Sequence, residues 1–335
     1  MNKPFYIFFV IAFAISTTCV AQQNLVPNPS FEIHDSCPNS LTFIQYATPW
    51  FSPSDGTSDY FNDCNNLMVP LNDFGYQYPR TGNAYAGLLY INYGTDDLGF
   101  EYISVPLLET LRKYRKYTLQ LFINIADSVD GIHGNFRTTG SAISPIGCLF
   151  TVDRPQWHVY GYNNFDGYIK SPFPASAESD STVLLIDSVG WQDVNITYCA
   201  KGGEQFLTIG FFRTKNGMNY NHSINDGSLN TYYYIDDVSL TENGDCFPEK
   251  LANIFTPNGD GINDVFYIDT SLAKKINIQI FNRWGNAVFE STNKTLWDGN
   301  NGSGKPFSEG VYYYLVSFIN EGEQKNYKGF IQLVR

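Results

Sequence analysis

The stretch Ile276-Asn-Ile-Gln-Ile-Phe281 places an isoleucine at every second position. The stretch Val311-Tyr-Tyr-Tyr-Leu-Val316 likewise divides into two alternating sets, one with Val311, Tyr313 and Leu315 and the other with the residues between and after them. A period of two is that of a β-strand with one buried face. Glycine, asparagine and proline separate such stretches, as in Pro257-Asn-Gly259 and Asp298-Gly-Asn-Asn-Gly302, and these residues supply tight turns. Short strands joined by turns predict a small immunoglobulin-like β-sandwich.

The chain before residue 246 also has strand periodicity. Tyr117–Ile125 alternates with Tyr, Leu and Ile on one face, and Trp191–Tyr198 and Gln205–Phe212 are similar. One stretch, Pro106–Tyr114, is predicted to form a short helix. The predicted fold class is therefore all-β, a jelly-roll β-sandwich followed by the small immunoglobulin-like β-sandwich.

The first 21 residues have the organisation of a secretory signal peptide. Lys3 precedes an apolar run, Phe5–Ile15, and Cys19-Val-Ala21 provides a small-residue cleavage site. A lipoprotein signal acylated at Cys19 is the alternative. The run is shorter than the ~20 residues of a membrane-spanning helix. We predict a signal peptide at 1–21, a first domain at 22–245 and a second at 246–335.

All of the net negative charge lies in the first domain. Residues 22–250 hold 12 Lys and Arg against 25 Asp and Glu, a net of −13, whereas residues 251–335 hold 8 of each. Nucleic acids and anionic membrane surfaces attract positive protein surfaces, so the acidity argues against both as partners, and no membrane insertion of the mature chain is expected. Neutral sugars and divalent cations are compatible with it.

Four sequence blocks in the last 85 residues occur in a characteristic order. They are Leu251–Phe266, Ile278–Phe289, Trp297-Asp-Gly299 and Glu309–Leu315. The residues that define them are Phe255, Pro257, Asn258, Gly259, Asp260, Gly261, Asn263, Asp264, Asn282, Arg283, Trp284, Gly285, Trp297, Asp298, Gly299, Gly310 and Tyr312.

Together these blocks resemble the gliding-motility-associated C-terminal domain of Bacteroidota, the type B sorting domain of the type IX secretion system. The resemblance implies passage through the periplasm and a final location that is secreted or at the cell surface. It also implies two partners, the type IX translocon and a PorP-type outer-membrane protein.

The loop Asn258–Asp264 has the composition of a calcium loop. Placing Asp260 and Gly261 at the fifth and sixth EF-hand positions puts Thr256 at the first and Tyr267 at the twelfth. Neither has the carboxylate that an EF-hand needs there. We interpret the loop as a polar turn that leads into a strand.

The two ends of the first domain carry a second resemblance. Asn24-Leu-Val-Pro-Asn-Pro-Ser-Phe-Glu32 opens the domain and Tyr232-Tyr-Tyr-Ile-Asp-Asp-Val-Ser-Leu240 closes it. These blocks resemble those of carbohydrate-binding, galactose-binding-like jelly rolls. The resemblance implies a structural calcium ion held by Glu32 and Asp236, with Asp236 pointing inward. The alternative is that both carboxylates cap backbone amides.

Such modules bind sugars by stacking them on exposed aromatic rings. Residues Trp157, Tyr160 and Tyr162 lie in a loop-like insertion, and Trp50 lies in turn-rich sequence, as do Tyr76 and Tyr78. We predict Trp157, Tyr160, Tyr162 and Trp50 as ligand contacts for a polysaccharide.

Five cysteines follow the signal peptide, and an oxidising periplasm permits disulfides. Cys37 and Cys64 both lie in turn-rich loops and are predicted to pair. Cys148 and Cys199 are predicted to be either bridged or buried thiols. An odd number leaves one cysteine over, and Cys246 is expected to be that one.

No catalytic motif of a hydrolase, metalloprotease, phosphate-binding or dinucleotide-binding enzyme is found in the sequence. The predicted function is a non-catalytic, secreted or surface-held carbohydrate-binding protein that acts in adhesion or polysaccharide capture. The alternatives are a structural surface protein whose jelly roll makes protein contacts only, and a glycan-active enzyme whose carboxylate pair comes from distant strands.

Overall fold

The computed structural model describes residues 22–66, 68–92, 99–126, 141–157, 171–214, 217–221, 229–246, 253–268, 274–292, 296–320 and 323–335. The chain divides into two compact units. The first comprises residues 1–110, 117–198 and 204–243, and the second comprises 111–116, 199–203 and 244–335. The predicted domain 246–335 thus lies within the last segment of the second unit. The predicted signal peptide, 1–21, lies outside the described residues.

Strands make up almost all regular structure of the first unit, which confirms the all-β prediction. They are β1 Asp59–Asn62, β2 Leu71–Asn72, β3 Gly75–Tyr76, β4 Ala84–Asn92, β5 Tyr102–Pro106, β6 Arg115–Ile125, β7 Ile143–Ser144, β8 Gly147–Thr151, β9 Ala177–Glu178, β10 Gln192–Cys199, β11 Phe206–Gly210, β12 Asn219–Tyr220 and β13 Leu229–Asp245. A 3-10 turn, Ile44–Tyr46, precedes β1.

The helix predicted at 106–114 does not form. Strand β5 ends at Pro106, and the next two backbone N–H groups donate to distant carbonyls, Leu107 to Gln205 and Leu108 to Leu25. Further along, the Tyr114 N–H, which would donate to the carbonyl oxygen of residue 110 in a helix, donates to the Ala200 carbonyl oxygen instead.

Two larger sheets build the first unit. One has the strand order β1-β4-β13-β6-β10, and the other has the order β5-β11-β8-β9. Strand β6 shows how the sequence pattern produces this layering, because Tyr117, Leu119, Leu121 and Ile123 are all buried while the residues between them are more exposed or polar. The predicted alternation of this strand is therefore present.

An aromatic cluster occupies the first unit near β1, β4 and β13. It contains Phe61, Tyr85, Tyr232 and Tyr234, and Phe74 stacks on Tyr232 with ring centroids 3.6 Å apart. Gly87 makes this packing possible, since a Cβ at that position would lie 1.9 Å from the Tyr232 hydroxyl oxygen. The high aromatic content of the sequence is thus used largely for core packing.

The second unit is a five-stranded sheet with the order β14-β20-β19-β16-β17 and a two-stranded sheet of β15 and β18. The strands are β14 Ile254–Phe255, β15 Phe266–Tyr267, β16 Lys274–Phe281, β17 Ala287–Thr292, β18 Leu296–Trp297, β19 Gly310–Asn320 and β20 Glu323–Leu333. Its core contains Ile276, Ile278 and Ile280 of β16 together with Trp297, as the period of two predicts.

Cys37 and Cys64, the predicted pair, are joined by a disulfide with an S–S distance of 2.03 Å. A second disulfide joins Cys199 to Cys246. Among the described cysteines, the free one is Cys148, which is buried.

The expectation that Cys246 stays unpaired is therefore wrong. The Cys246 N–H donates to the Tyr114 carbonyl oxygen at 2.9 Å, and the Tyr114 N–H donates to the Ala200 carbonyl oxygen at 2.8 Å. These bonds bring the end of β13 beside the residue that follows Cys199. Cys199 and Cys246 are 47 residues apart in the sequence, so the sequence alone does not indicate that they are close in space.

Candidate functional site

Asp236 anchors the closing strand to residues 80–84, which we call the carboxylate turn. Its Oδ2 accepts backbone N–H groups of Arg80 at 2.8 Å and Thr81 at 3.3 Å, and its Oδ1 accepts the N–H of Asp237 at 2.7 Å. The side chain is fully buried and points inward, as predicted. Burial and the neighbouring Asp237 charge raise the pKa of Asp236 to about 8, although the N–H bonds act in the opposite direction.

Glu32 approaches the same turn from the opening segment. Its Oε1 accepts the N–H groups of Asn83 at 2.8 Å and Ala84 at 3.0 Å. Gly82 directly precedes these partners with a φ of +63°, and a Cβ there would lie 2.3 Å from Glu32 Oε1. Only glycine combines this left-handed backbone with so close a carboxylate.

Asp237 closes the arrangement on the partly exposed side. Its Oδ1 accepts the hydroxyl groups of Ser30 and Thr81, each at 2.6 Å, and its Oδ2 pairs with the Arg80 guanidinium. These contacts hold the pKa of Asp237 below its usual value, against the effect of its own partial burial. The opening segment, the closing strand and the carboxylate turn are therefore tied together by three acidic side chains.

This hydrogen bonding corresponds to the amide caps, the alternative to the predicted calcium ion. Within the described residues, no three His, Cys, Asp or Glu side chains are grouped so that they could hold one metal ion. The hydrogen bonds as placed favour the amide caps, and calcium binding stays a prediction for experiment.

Two of the four predicted sugar contacts lie in the core. Trp50 is 2% exposed, packs against Phe31 and donates its Nε1–H to the Asn28 carbonyl oxygen at 2.9 Å. Trp157 is 7% exposed and lies edge-on to Tyr102. Neither ring presents a face to solvent, so their prediction as ligand contacts is wrong. The other two, Tyr160 and Tyr162, lie outside the described residues.

Among the described residues of the first unit, the two most exposed aromatic rings are those of Tyr76, in β3, and Tyr78, two residues further on. Tyr76 is 53% exposed and Tyr78 is 60% exposed, with ring centroids 5.5 Å apart in an edge-to-face arrangement. Trp191 adjoins them, because its Nε1–H donates to the Tyr78 carbonyl oxygen at 3.3 Å. We call these three residues the aromatic shelf. The spacing Tyr-Gln-Tyr in a short hairpin was the sequence signal for it, since alternate strand residues share a face.

Polar residues follow two members of the shelf closely in sequence, Arg80 two residues after Tyr78 and Asp193 two residues after Trp191. Two residues after Tyr78, the Arg80 guanidinium covers the Phe122 ring at 3.4 Å from its centroid. Gln120, on the same strand as Phe122, donates to Asp193 Oδ1 at 2.9 Å. Rings flanked by amide, guanidinium and carboxylate groups are the usual components of a site for a neutral polar ligand.

A second pair of carboxyl groups is fully buried in the first unit. Asp59 Oδ2 accepts the Tyr232 hydroxyl at 2.5 Å, and Glu101 Oε2 accepts the Leu89 N–H at 2.9 Å. Burial raises the pKa of both, of Asp59 strongly and of Glu101 to about 7. Glycoside hydrolysis needs two carboxyl groups that flank an accessible bond, and these two do not meet that condition.

The motif residues of the second unit divide into two structural classes. The first class forms the core, where Phe255, Trp297 and Tyr312 pack together and the Tyr312 hydroxyl donates to the Ser308 carbonyl oxygen at 2.7 Å. Gly299 belongs with them, because a Cβ there would lie 2.9 Å from Leu333 Cδ1.

The second class forms the turns. Asp264 accepts the N–H groups of Gly259 at 2.7 Å and Gly261 at 2.8 Å, and Asp260 accepts the N–H of Ile262. The loop is therefore closed by its own carboxylates, which is the polar turn that the sequence predicts.

Other motif positions close turns in the same way. Asn282 accepts the N–H groups of Trp284 and Asn286, each at 3.0 Å, and Asp298 accepts the N–H of Asn300. Positive φ angles occur at the remaining turn positions, namely Gly259, Gly261, Asn263, Gly285 and Gly310. Most motif residues are thus required for the fold itself.

The comparison with protein families concerns this second unit. Residues 249–333 match the family described as the CHU_C type IX secretion signal domain. The chain therefore carries a signal for export by the type IX secretion system, and its location is outside the cell or at the cell surface. No helix in the described residues is long and apolar enough to cross a membrane.

Similar solved structures were also found. One is the adhesin domain of Lys-gingipain from Porphyromonas gingivalis, at 16% identity over 64% of this chain and 96% of that one, with a TM-score of 0.28. Another is the CBM22-1–GH10 portion of xylanase 10B from Clostridium thermocellum, at 12% identity over 66% of this chain and 33% of that one, with a TM-score of 0.29. These values are too low to transfer a function. Among curated proteins, none matches the chain.

Proposed function

We propose that the protein is a non-catalytic, exported polysaccharide-binding protein that acts in adhesion or polysaccharide capture. The observation that carries this proposal is the aromatic shelf, Tyr76, Tyr78 and Trp191. Two adjacent tyrosine rings that are more than half exposed are unusual in a unit whose other tyrosines mostly pack in the core. Such rings offer an apolar face to a sugar ring and a hydroxyl for hydrogen bonding.

Charge selects the class of polysaccharide. Residues 22–250 have a net charge of −13, so a polyanion such as a uronic-acid polymer would be repelled. Neutral hexose or pentose polymers carry no such penalty. The ligand we propose is therefore a neutral polysaccharide whose rings stack on Tyr76 and Tyr78.

The test uses the mature chain on a glycan array, followed by titration with the neutral polysaccharide that binds best and with alginate as a polyanionic control. Replacing Tyr78 by Ala should weaken binding at least about fivefold, which is the usual effect of truncating an aromatic anchor. Tyr220→Ala is the matched control, because Tyr220 is also exposed and lies away from the shelf in sequence.

An array with no neutral glycan above background would contradict the proposal and favour a structural protein that makes protein contacts only. Equal loss of binding in Tyr78→Ala and Tyr220→Ala would place the site elsewhere. Release of reducing sugar from a bound polysaccharide would favour the glycan-active enzyme instead.

We also propose the finer identity of the export partners. The resemblance of the four tail blocks implies the type IX translocon and a PorP-type outer-membrane protein. Deletion of residues 251–335, which keeps Cys246, should leave the protein in the periplasm, and normal export of the truncated chain would contradict this assignment.

A further inference from the structure

The five-stranded sheet of the second unit has one face in the core and one face open. Tyr312, Tyr314 and Val316 of β19 point into the core. Their neighbours Val311, Tyr313 and Leu315 point the other way and are 43%, 51% and 36% exposed. The exposed face of a sheet normally carries polar residues, which alternate along each strand with the apolar residues of the core face. A run of apolar side chains on the exposed face therefore needs an explanation.

Strand pairing extends this run across the sheet. Tyr313 pairs with Phe330 of β20 and with Phe281 of β16, so three aromatic residues form one row across three strands. Phe330 is 51% exposed. At the edge of the sheet, Ile254 of β14 pairs with Gln332 and is also half exposed. We call Ile254, Val311, Tyr313, Leu315 and Phe330 the open apolar face.

We infer that the open apolar face is the surface by which a component of the type IX secretion machinery recognises this domain. A partner can contact only side chains that are not already engaged in the core or in turns. Most motif residues are engaged in this way, because Phe255, Trp297 and Tyr312 form the core and Asp264 and Asn282 close turns. The open apolar face contributes to none of these tasks, and it belongs to the unit that matches a secretion signal domain.

The area of the face favours a transient partner over a second copy of this chain. Side chains of this size have about 150–250 Å² of surface each, so their exposed fractions correspond to on the order of 400 Å². A standard stable interface buries about 800 Å² on each partner. The face is about half of that, which suits a signal that is bound and then released during export.

Charge limits the chemistry of the partner surface. The next row of the sheet contains Glu290, Gln279, Leu315 and Lys328 in register, one acid and one base with neutral residues between them. Residues 251–335 have no net charge. The complementary surface is therefore apolar and uncharged, with aromatic or aliphatic side chains that pack on Tyr313 and Phe330.

The test expresses the full chain in its own cells and measures the share that reaches the surface and the medium. The variant Tyr313→Thr with Phe330→Thr removes both central rings and keeps good strand-forming residues. The matched control is Ser317→Thr with Asn326→Thr, a directly paired position further along the same two strands. We expect export to fall at least about fivefold in the first variant, with accumulation in the periplasm, and to be unchanged in the control.

Folding is checked by the thermal unfolding of each purified protein. If the double variant does not fold, Phe330→Lys replaces it, because a charge at this exposed position tests an apolar contact without touching the core. Normal export of a folded variant would overturn the inference. So would loss of export on Trp284→Ala alone, which would move recognition to the Asn282–Gly285 turn, or a wild-type dimer that the double variant converts to monomer.

Sugar binding separates this inference from the proposed function. The double variant recovered from the periplasm should bind polysaccharide as the wild type does. If no neutral glycan binds on the array, the proposed function is contradicted and the export result is unaffected. If the double variant is exported normally, the inference about the open apolar face is contradicted and the array result is unaffected.

Discussion

Replacing Glu101 by Gln should make the protein more stable at alkaline pH than the wild type. Glu101 is buried in the first unit, where Oε2 accepts the Leu89 N–H at 2.9 Å and Oε1 accepts the Thr57 hydroxyl at 2.8 Å. Glutamine has nearly the same shape: its amide oxygen can accept the Leu89 N–H, and its NH2 group can donate to the Thr57 hydroxyl oxygen. The substitution therefore removes the ionisable group and keeps these two contacts, although the bond that Glu101 accepts from the Thr57 backbone N–H is lost.

The magnitude follows from the pKa of this group. Burial raises the pKa of Glu101 to about 7 in the folded protein, whereas an unfolded chain has a glutamate pKa of about 4.3. The folded state therefore binds more protons than the unfolded state between these values. The stability that Glu101 contributes is fully present below about pH 4.3 and is lost as pH rises through about 7. The loss above pH 8 is on the order of 4 kcal/mol.

The assay is thermal or urea unfolding of the mature chain between pH 5 and pH 9. At pH 5 only about 1 kcal/mol of this loss has occurred, so the unfolding temperatures of the variant and the wild type should differ little. Between pH 5 and pH 8 the difference should widen by about 5–10 °C in favour of the variant, since ~1 kcal/mol corresponds to about 2–4 °C for a unit of this size. Glu109→Gln, an exposed position, is the control. A difference between Glu101→Gln and the wild type that is the same at every pH would refute the reasoning.

Two further measurements test other parts of the structure. Replacing both Cys199 and Cys246 by Ser opens a loop with a sequence separation of 47 residues and should lower the free energy of unfolding by about 4 kcal/mol; urea unfolding with an unchanged midpoint would contradict the disulfide. Chelator should leave the melting temperature unmoved, because Glu32 and Asp236 cap backbone amides; a fall that calcium reverses, and that Asp236→Asn abolishes, would establish a calcium site instead.

The sequence predicted the fold class because its signals are local. The period of two in β6 and β16 and the glycine and asparagine turns each depend on a few adjacent residues, and the structure confirms the all-β architecture. The helix expected at 106–114 failed for the opposite reason. The N–H groups of Leu107 and Leu108 donate to the carbonyl oxygens of Gln205 and Leu25, and such distant partners cannot be inferred from the local sequence.

The candidate site was predicted less well, because exposure depends on tertiary packing. Loop-like sequence around Trp50 and Trp157 suggested exposed rings, yet both rings pack in the core. Tyr76 and Tyr78 had the same sequence character and are exposed. Composition identifies a loop, but it does not say which side of the loop faces the protein.

For the tyrosine run of β19, the sequence period alone does not determine which face is buried, and the strand pairing has to be considered as well. In Val311–Val316 every residue is apolar or aromatic, so the sequence alone permits either face to be buried. Pairing with β16 decides between them, because Ile280 lies in the core opposite Tyr314, which places Tyr312, Tyr314 and Val316 inward. Tyr313 is then outside whatever its side chain, and a polar residue there would leave the core unchanged. Packing of the core does not require an aromatic residue at that position or at Phe330 beside it, and recognition by the export machinery is the role that we infer for both.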